Sequence, residues 1–506
     1  MFNNVDRLQD ATVAVVKDRP VYLQDPPYHP SEIYPEVVGR DISPTDNPAY
    51  RSVRRLFAAL GCDKERFGKP DWNPLSGLIS PGCTVILKPN LVTDRNHGEK
   101  AFGISDTDCL ITHGSVIRVV LDYVSLALQN HGRVIIADCP IQGTNWPNLL
   151  RLIGFEEIKH YFNHAFPGID LEVQDYRLGR AVMVDGHVVE RIVDESQRSE
   201  YVEVDLAEHS LLISLMQDGK YAFGVSQYPR HRMVAAHTPT VNKYLIHRQF
   251  LEADVMINLP KMKSHMKAGI TCALKNFVGI NGHKDYLPHF RFGSPKQGGD
   301  EYPDGSPIWD LMWWVYHLEW EMDAGLLKRL LIRIGRFLGL LDQLIYRRPQ
   351  GGTMLGGGGW YGNDTLWRTV LDINRAYFYF DPRTRKITES PRPQKRYLAI
   401  LDGLVGGQRE SPLSPTPIAS GLMMAAQNPV ALDTVAAAMM GLDYRLVKQI
   451  SQAYSPMPLP LVSFSPDEIQ IVGGDIPCSL SEIYNQRVFC RFEPSRGYRG
   501  KVEYLC

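Results

Sequence analysis

An alternation of short apolar runs with amphipathic segments constrains the fold of this chain more than any other feature. Residues 84–87 and 134–137 predict buried strands, and residues 146–162 predict a helix. A further helix is predicted over residues 115–130, where apolar side chains recur at i, i+3, i+4, i+7 and i+11: Ile117, Val120, Leu121, Val124 and Leu128. Strand, helix, strand and helix in this order are typical of a right-handed parallel α/β unit. We therefore expect an α/β fold with a mainly parallel central sheet and flanking helices.

Composition and patterning divide the 506 residues into five segments. These are an N-terminal extension (1–80) with a helix near 48–60, an α/β core (81–300) with a small β-rich insertion at about 168–238, an amphipathic helical and glycine-rich insertion (301–362), a completion of the core (363–450), and a C-terminal extension (451–506). The completion contains an apolar strand at 397–403 that ends near Asp402, and a helix at 430–440.

Charge and cysteine usage exclude several classes of function. The net charge of −1 gives no overall attraction to nucleic acid. No apolar run of 18 residues is present, and the N-terminus lacks a basic start followed by an apolar segment, so neither a membrane span nor a secretory signal is predicted. The eight cysteines are scattered without ferredoxin-type spacing, so we expect reduced thiols, a cytoplasmic location and no iron–sulfur cluster.

The stretch 253–284 combines a strand with many cationic side chains. An apolar run, 255–259, opens into a segment that carries Lys261, Lys263, His265, Lys267, Lys275, His283 and Lys284 among small residues. Sites of α/β enzymes form where loops leave the carboxyl ends of parallel strands. This stretch therefore predicts a cationic site, although a solvated basic loop would have a similar sequence.

Individual residues of this stretch suggest different kinds of chemistry. His265 is a candidate general acid–base or metal ligand, and Lys275, on a small and apolar helix start, is a candidate catalytic amine with a depressed pKa. Lys261 and Lys263 are two apart in an extended segment and could form a two-point clamp for a carboxylate or phosphate. Substrate contacts are also predicted for Asn276, His283 and Lys284.

Other strand ends add polar groups that we expect at the same edge of the sheet. Lys88 and Asn90 end one strand and, with Arg95, are predicted to bind substrate. His113 precedes a helix, where a neutral imidazole is favoured, and is a third catalytic candidate. Asp94 and Asp402 are candidate ligands for a divalent metal.

Several separated motifs resemble the bacterial domain-of-unknown-function family numbered 362. They are KPNLV at 88–92, ITHGSVIRVVLDYV at 111–124, GRVIIADCP at 132–140, INLPKMKSHMKAGITCALKNFVGI at 257–280, LAILDGLVGG at 398–407 and AAQNPVALDTVAAAMMGLD at 425–443. The chain looks like the longer members of that family, which lack the ferredoxin cysteines of some relatives. The resemblance implies a fold and a site more than a reaction.

A weaker resemblance is to the nickel-pincer lactate racemase family. Its members carry a histidine and, ten residues later, a lysine that attaches the cofactor, and His265 and Lys275 have this spacing. Asp94 and Arg95, after the first strand, resemble an Asp/Arg pair of that family. The second histidine, His283, follows Lys275 by only eight residues, which departs from the family pattern. The resemblance implies related architecture, and the nickel cofactor is not carried over.

The sequence thus predicts a cytoplasmic enzyme performing acid–base or group-transfer chemistry, with or without a metal, on a small anion such as a carboxylate, a phosphorylated compound or a sugar nucleotide. One alternative is a racemase or epimerase with a lysine-held metal cofactor. The other is a non-catalytic protein that binds a ligand or a membrane surface. A peripheral membrane contact is suggested by residues 324–348, a basic amphipathic helix with one cationic face: Lys328, Arg329, Arg333 and Arg336. A helix packed on the core with a solvated basic back would have the same pattern.

Overall fold

The computed structural model describes residues 9–506 apart from positions 38, 40, 99–102, 104, 105, 185, 218, 220, 221, 323, 347–354, 389, 391–394, 475 and 506. Part of the glycine-rich segment, 351–354, therefore lies outside the described residues. The strands are β1 (Thr12–Lys17), β2 (Thr84–Pro89), β3 (Gly132–Asp138), β4 (Ile169–Asp175), β5 (Gly179–Val184), β6 (His187–Val193), β7 (Tyr201–Asp205), β8 (Phe223–Gly224), β9 (His237–Thr238), β10 (Val241–His247), β11 (Val255–Leu259), β12 (Lys261–His265), β13 (Gly269–Ile270), β14 (Phe290–Arg291), β15 (Phe380–Asp381), β16 (Lys386–Ile387), β17 (Arg396–Glu410), β18 (Ser414–Ala426) and β19 (Gln470–Val472).

The helices alternate with these strands through the core of the chain. They are α1 (Pro48–Ala59), α2 (Gly114–Leu128), α3 (Trp146–Leu152), α4 (Phe155–Ala165), α5 (Arg230–Ala236), α6 (Arg248–Glu252), α7 (Ala273–Asn276), α8 (Pro307–Trp320), α9 (Leu326–Tyr346), α10 (Leu366–Phe378), α11 (Pro429–Met439), α12 (Lys448–Ser451) and α13 (Leu480–Gln486). Among the described residues, every helix is too short or too polar to cross a membrane.

One large, mostly parallel sheet organises the molecule. Its strand order is β19-β1-β18-β17-β11-β2-β3-β4, and β12 and β13 extend it beside β17. The pairs from β17 through β4 are parallel, whereas β18 runs antiparallel to both β17 and β1. This confirms the predicted α/β class with a mainly parallel central sheet. Smaller sheets, including the β5–β6 hairpin, lie outside it.

The sheet is covered on both faces, as expected for a parallel sheet. Successive strand residues point to opposite faces, so Val85 and Leu87 pack with α1 and α2, whereas Ile86 belongs to the apolar core that contains α10 and α11. Both cores consist of buried apolar side chains, most of them aliphatic or aromatic. Burial on both faces explains why the sequences of β2, β3 and β11 are short apolar runs without alternation of apolar and polar residues.

The predicted helices near 48–60, 115–130 and 430–440 are confirmed within one or two residues at each end. The helix predicted over 146–162 is wrong as a single element, because α3 ends at Leu152 and α4 begins at Phe155. Gly154 between them has a φ of +64°, a left-handed conformation that interrupts a right-handed helix. The strand predicted at 397–403 is part of a longer strand, β17, which pairs with β18 from Ala399 to Glu410.

Candidate functional site

A cavity of about 420 Å³ lies where the carboxyl ends of β2 and β3 meet β12 and the turns after it. Because these strands are parallel neighbours, their carboxyl ends reach the same edge of the sheet. The cavity collects many of the residues predicted from the sequence: Lys88, Asn90, Lys263, His265, Lys275, Asn276, His283 and Lys284. It is also lined by Asp138, Arg177, Lys267 and His289, and by apolar side chains that include Ile141, Met183, Val225 and Leu413.

The floor of the cavity is a hydrogen-bonded network around one ion pair. The ammonium of Lys88 lies 2.7 Å from a carboxylate oxygen of Asp138, and both side chains are almost fully buried. Lys88 also donates to the amide oxygen of Asn276 at 3.3 Å, and the amide nitrogen of Asn90 donates to the same oxygen at 3.1 Å. Lys263 donates to Asn90 at 3.2 Å. Burial raises the pKa of Asp138, and the Lys88 ammonium opposes that effect.

Four lysines around the cavity have no carboxylate partner within ion-pair distance in the described part of the chain: Lys263, Lys267, Lys275 and Lys284. Burial lowers the pKa of Lys263 to about 7 and the pKa of Lys267 and Lys284 to about 8. Burial, reinforced by repulsion from these neighbouring lysines, lowers the pKa of Lys275 further still. Such a cluster does not stabilise the fold by itself, because its amines repel one another when they are protonated.

Lys275 is held in place by a turn with an unusual start. It belongs to the single-turn helix α7, which follows Cys272 at a φ of +43°. The first two backbone N–H groups of α7, from Ala273 and Leu274, donate to the carboxylate of Asp433 at 2.7 and 3.0 Å. Burial raises the pKa of Asp433 to about 8, against the effect of these two donors. The α11 helix thus fixes the turn that presents Lys275 to the cavity.

Two of the three histidines that line the cavity, His265 and His289, have opposite tautomers. The Nδ1 atom of His265 accepts the backbone N–H groups of Lys267 and Ala268 at 3.0 and 3.1 Å, so the neutral ring carries its proton on Nε2. The Nδ1 atom of His289 is 2.7 Å from the carbonyl of Leu287 and must donate to it, which leaves a lone pair on Nε2. Burial and the surrounding lysines lower the pKa of both rings well below the usual value.

Lys261, His113 and Asp402 do not line the cavity and instead form a separate buried cluster. The ammonium of Lys261 is 3.0 Å from Asp402, and both side chains are fully buried. Tyr22 donates to Asp402 and accepts from Lys261 at 2.7 Å, and its ring stacks on His113 at 4.2 Å between ring centroids. Burial and Lys261 lower the pKa of His113 to about 3. The pairing of β12 with β17 is irregular between Lys261 and Lys263, and the two side chains reach different places: Lys261 pairs with Asp402, whereas Lys263 lines the cavity.

Asp94 and Arg95 are also outside the cavity. Asp94 accepts the backbone N–H of Asn145 and the side-chain amide of Asn148, at 3.1 and 3.0 Å, just before α3. Arg95 is exposed. In the described residues, no three His, Cys, Asp or Glu side chains are close enough to hold a metal ion. The two carboxylates that the sequence suggested as metal ligands, Asp94 and Asp402, thus have other hydrogen-bond partners.

Sequence reasoning did not assign a role to several residues that line the cavity. His289 and Arg177 carried no recognisable signal, because each depends on the path of a loop. Arg177 donates to three backbone carbonyls and forms an ion pair with Asp175 at 2.7 Å. Lys267 could have been found, since it lies in the basic stretch.

The fold and site together define an α/β protein with a cationic cavity at the carboxyl ends of parallel strands. Residues 219–438 match the family model described as Domain of unknown function (DUF362), so the chain is similar to that family over this segment. His265, Lys275 and Asp433 lie inside the matched segment, whereas Lys88 and Asp138 precede it. No curated protein matches the chain, and the resemblance to the nickel-pincer family is not supported by these comparisons.

Proposed function

We propose that this protein is an enzyme that binds a small, multiply charged anion in the lysine-lined cavity and performs acid–base or group-transfer chemistry on it. The observation that carries the proposal is a set of four lysines around the cavity, two buried and two half-buried, that have no carboxylate within ion-pair distance in the described part of the chain: Lys263, Lys275, Lys267 and Lys284. Buried charges in proteins are normally paired, and perturbed pKa values concentrate at functional sites. An anionic ligand would supply the missing negative charge.

The composition of the cavity favours a metabolite-sized ligand with two or more anionic groups. Four lysines, once an anion promotes their protonation, exceed what one carboxylate needs, and about 420 Å³ accommodates a phosphorylated or multiply carboxylated compound. The apolar wall, which includes Met183, Val225 and Tyr228, would contact a less polar part of the same ligand. A divalent metal would have to arrive with the ligand, because the described side chains offer no cluster of metal ligands.

The opposite tautomers of His265 and His289 fit a proton-transfer role. The Nε2–H group of His265 can donate to an oxygen that gains negative charge, and the Nε2 lone pair of His289 can accept a proton. Both rings stay neutral near pH 7 because their pKa values are lowered, so each is in the required state before the reaction. The lysines would stabilise the charge that develops on the ligand.

A second candidate function is that of an isomerase or epimerase in which Lys275 carries a cofactor through a covalent bond. The lowered pKa of Lys275 favours the neutral amine, which is the nucleophilic form. Intact mass spectrometry of protein from its native host tests this candidate. An added mass that is lost in Lys275→Ala would support it, and an unmodified mass would contradict it.

Anion binding can be measured before the substrate is known. Isothermal titration calorimetry with phosphate, pyrophosphate and citrate, in two buffers of different ionisation enthalpy, reports both affinity and proton uptake. We expect tighter binding of pyrophosphate than of phosphate. We also expect net proton uptake at pH 8. In the ligand-free protein the pKa of Lys263 is about 7 and the pKa values of Lys267 and Lys284 are about 8, and a bound anion raises all three.

Substitutions of single lysines distinguish anion binding in the cavity from binding to general surface charge. Lys275→Met and Lys284→Met should each weaken pyrophosphate binding by about tenfold or more, a loss of about 1.4 kcal/mol. Lys296→Met is the matched control, because Lys296 is exposed and outside the cavity. Absence of binding for all three anions, or equal losses in all three variants, would contradict the proposal.

A further inference from the structure

The α9 helix exposes its apolar side instead of burying it. Its largest exposed side chains form one band along the helix: Leu326, Leu327, Leu330, Ile334, Phe337, Leu340, Leu344 and Ile345. Leu326 is 84% exposed, Leu344 77% and Phe337 62%. Isolated exposed apolar residues are common, but a band over six turns of one helix marks an interaction surface.

The fully buried residues of α9 are small or polar, and Leu338 packs partly buried against the aromatic core that includes α8. Gly335 lies against the ring of Tyr316 in α8, where a Cβ atom would approach to 2.5 Å. Lys328 pairs with Glu319 at 3.0 Å, and Asp342 accepts a hydrogen bond from Ser306. These contacts orient the helix, so the exposure of the apolar band is part of the fold.

Arginines border the apolar band along one edge. At 100° per residue, Arg329, Arg333 and Arg336 occupy adjacent positions beside Leu340 and Phe337, and all three are exposed. The only acidic residue of α9, Asp342, is fully buried. An apolar band next to a row of arginines is the arrangement of helices that lie in the interface of an anionic bilayer.

We infer that α9 docks this protein on an anionic lipid surface, with the apolar band inserted at the level of the acyl chains and the arginines against lipid phosphates. Charge decides between this occupant and a second copy of the chain, because α9 offers no exposed carboxylate for the arginines of another copy. The inference is independent of the ligand in the cavity.

The β5–β6 hairpin, which contacts the end of α8, also exposes apolar side chains. The β5–β6 hairpin exposes Val182, Val184 and Ile192. It contacts the α8–α9 pair through Arg191, which donates to the backbone carbonyl of Trp320 at 3.1 Å. Met183 of this hairpin lines the cavity. Docking through α9 would therefore bring a wall of the cavity close to the lipid surface.

Vesicle flotation of the full chain tests the inference. Vesicles of phosphatidylcholine alone are compared with vesicles that also contain phosphatidylglycerol, at low and at physiological salt. We expect binding that requires phosphatidylglycerol and weakens with salt. Arg329→Gln combined with Arg333→Gln should lower the partition coefficient about 30-fold, since each basic residue near an anionic surface contributes on the order of 1 kcal/mol.

Matched variants control for charge and for surface apolarity. Arg383→Gln combined with Lys386→Gln removes the same charge from an exposed turn and should leave binding unchanged. Leu330→Ser combined with Phe337→Ser should abolish binding, whereas Ile33→Ser combined with Ile42→Ser, at other exposed sites, should not. No binding to phosphatidylglycerol vesicles, or equal binding by the α9 and control variants, would overturn the inference. A dimer in light scattering that the Leu330 and Phe337 substitutions dissociate would also overturn it.

Discussion

His265 and His289 line one cavity with their protons on opposite ring nitrogens. Backbone N–H groups fix the first ring, and the Leu287 carbonyl fixes the second. A pair of this kind offers one donor and one acceptor to the same ligand without any change in net charge. The tautomers follow from backbone geometry, so they should exist in the ligand-free protein.

Nitrogen-15 NMR of labelled histidines should therefore report an Nε2–H tautomer for His265 and an Nδ1–H tautomer for His289. Both rings should remain neutral from pH 8 to pH 6, because their pKa values are lowered well below 6.5. His265→Asn and His289→Asn each remove one signal and so assign the spectrum. Protonation of either ring above pH 6 would contradict the burial argument.

Lys267→Met should stabilise the ligand-free protein at neutral pH. The pKa of Lys267 is lowered to about 8 in the fold, below its unfolded value of about 10.4, so the unfolded chain binds the proton more tightly. The destabilisation of the folded state by this lowered pKa is complete below pH 8 and disappears as the pH rises through the unfolded pKa. We expect a gain of roughly 1–3 kcal/mol at pH 7 in urea unfolding, shrinking by pH 10. Lys296→Met should show no such pH-dependent gain.

Gly279→Ala should disrupt the floor of the cavity. A Cβ atom at this position would lie 2.4 Å from a carboxylate oxygen of Asp138 and 2.7 Å from the ammonium of Lys88. Overpacking of this kind costs about 1–3 kcal/mol, and pyrophosphate affinity should fall with it. Gly325→Ala is the control, because no atom lies within 4 Å of its added Cβ. Equal stability and affinity in the two variants would show that the ion pair does not organise the site.

Asp402→Asn should destabilise the protein without changing anion binding. The substitution leaves the Lys261 ammonium buried without its carboxylate, which costs about 3–5 kcal/mol in the free energy of unfolding. Glu493→Gln, which breaks the exposed pair with Arg409, should cost about 1 kcal/mol or less. Calorimetry of Asp402→Asn with pyrophosphate below its unfolding temperature should return the wild-type affinity. A strong loss of affinity would instead place Asp402 in the binding site.

The parts of the fold set by local patterns were predictable from the sequence. The strands at 84 and 255 and the helix at 115 are apolar runs or 3.6-residue periods, and the structure has them in place. The second half of β17 was not predictable. Gly406 and Gly407 look like loop residues in the sequence, and they are part of a strand because they pair with β18. The break at Gly154 was missed because one left-handed residue leaves the apolar period almost unchanged.

The site was predictable as a region but only partly residue by residue. Strand ends correctly indicated that Lys88 and Lys275, far apart in sequence, would meet at one edge of the sheet. The direction of each side chain depends on pairing and packing, which explains why Lys261 reaches Asp402 instead of the cavity. His289 was missed because its position depends on the path by which the loop after α7 comes back to the cavity.

The strand order has a consequence for synthesis on the ribosome. The neighbours β2, β11 and β17 come from residues 84–89, 255–259 and 396–410, and Asp433 holds the turn that carries Lys275. A nascent chain that has emerged only to residue 400 contains every lysine of the cavity but lacks the carboxylate that orients one of them. We expect the cavity to mature late in translation, so that arrested chains acquire pyrophosphate binding only after α11 has left the exit tunnel.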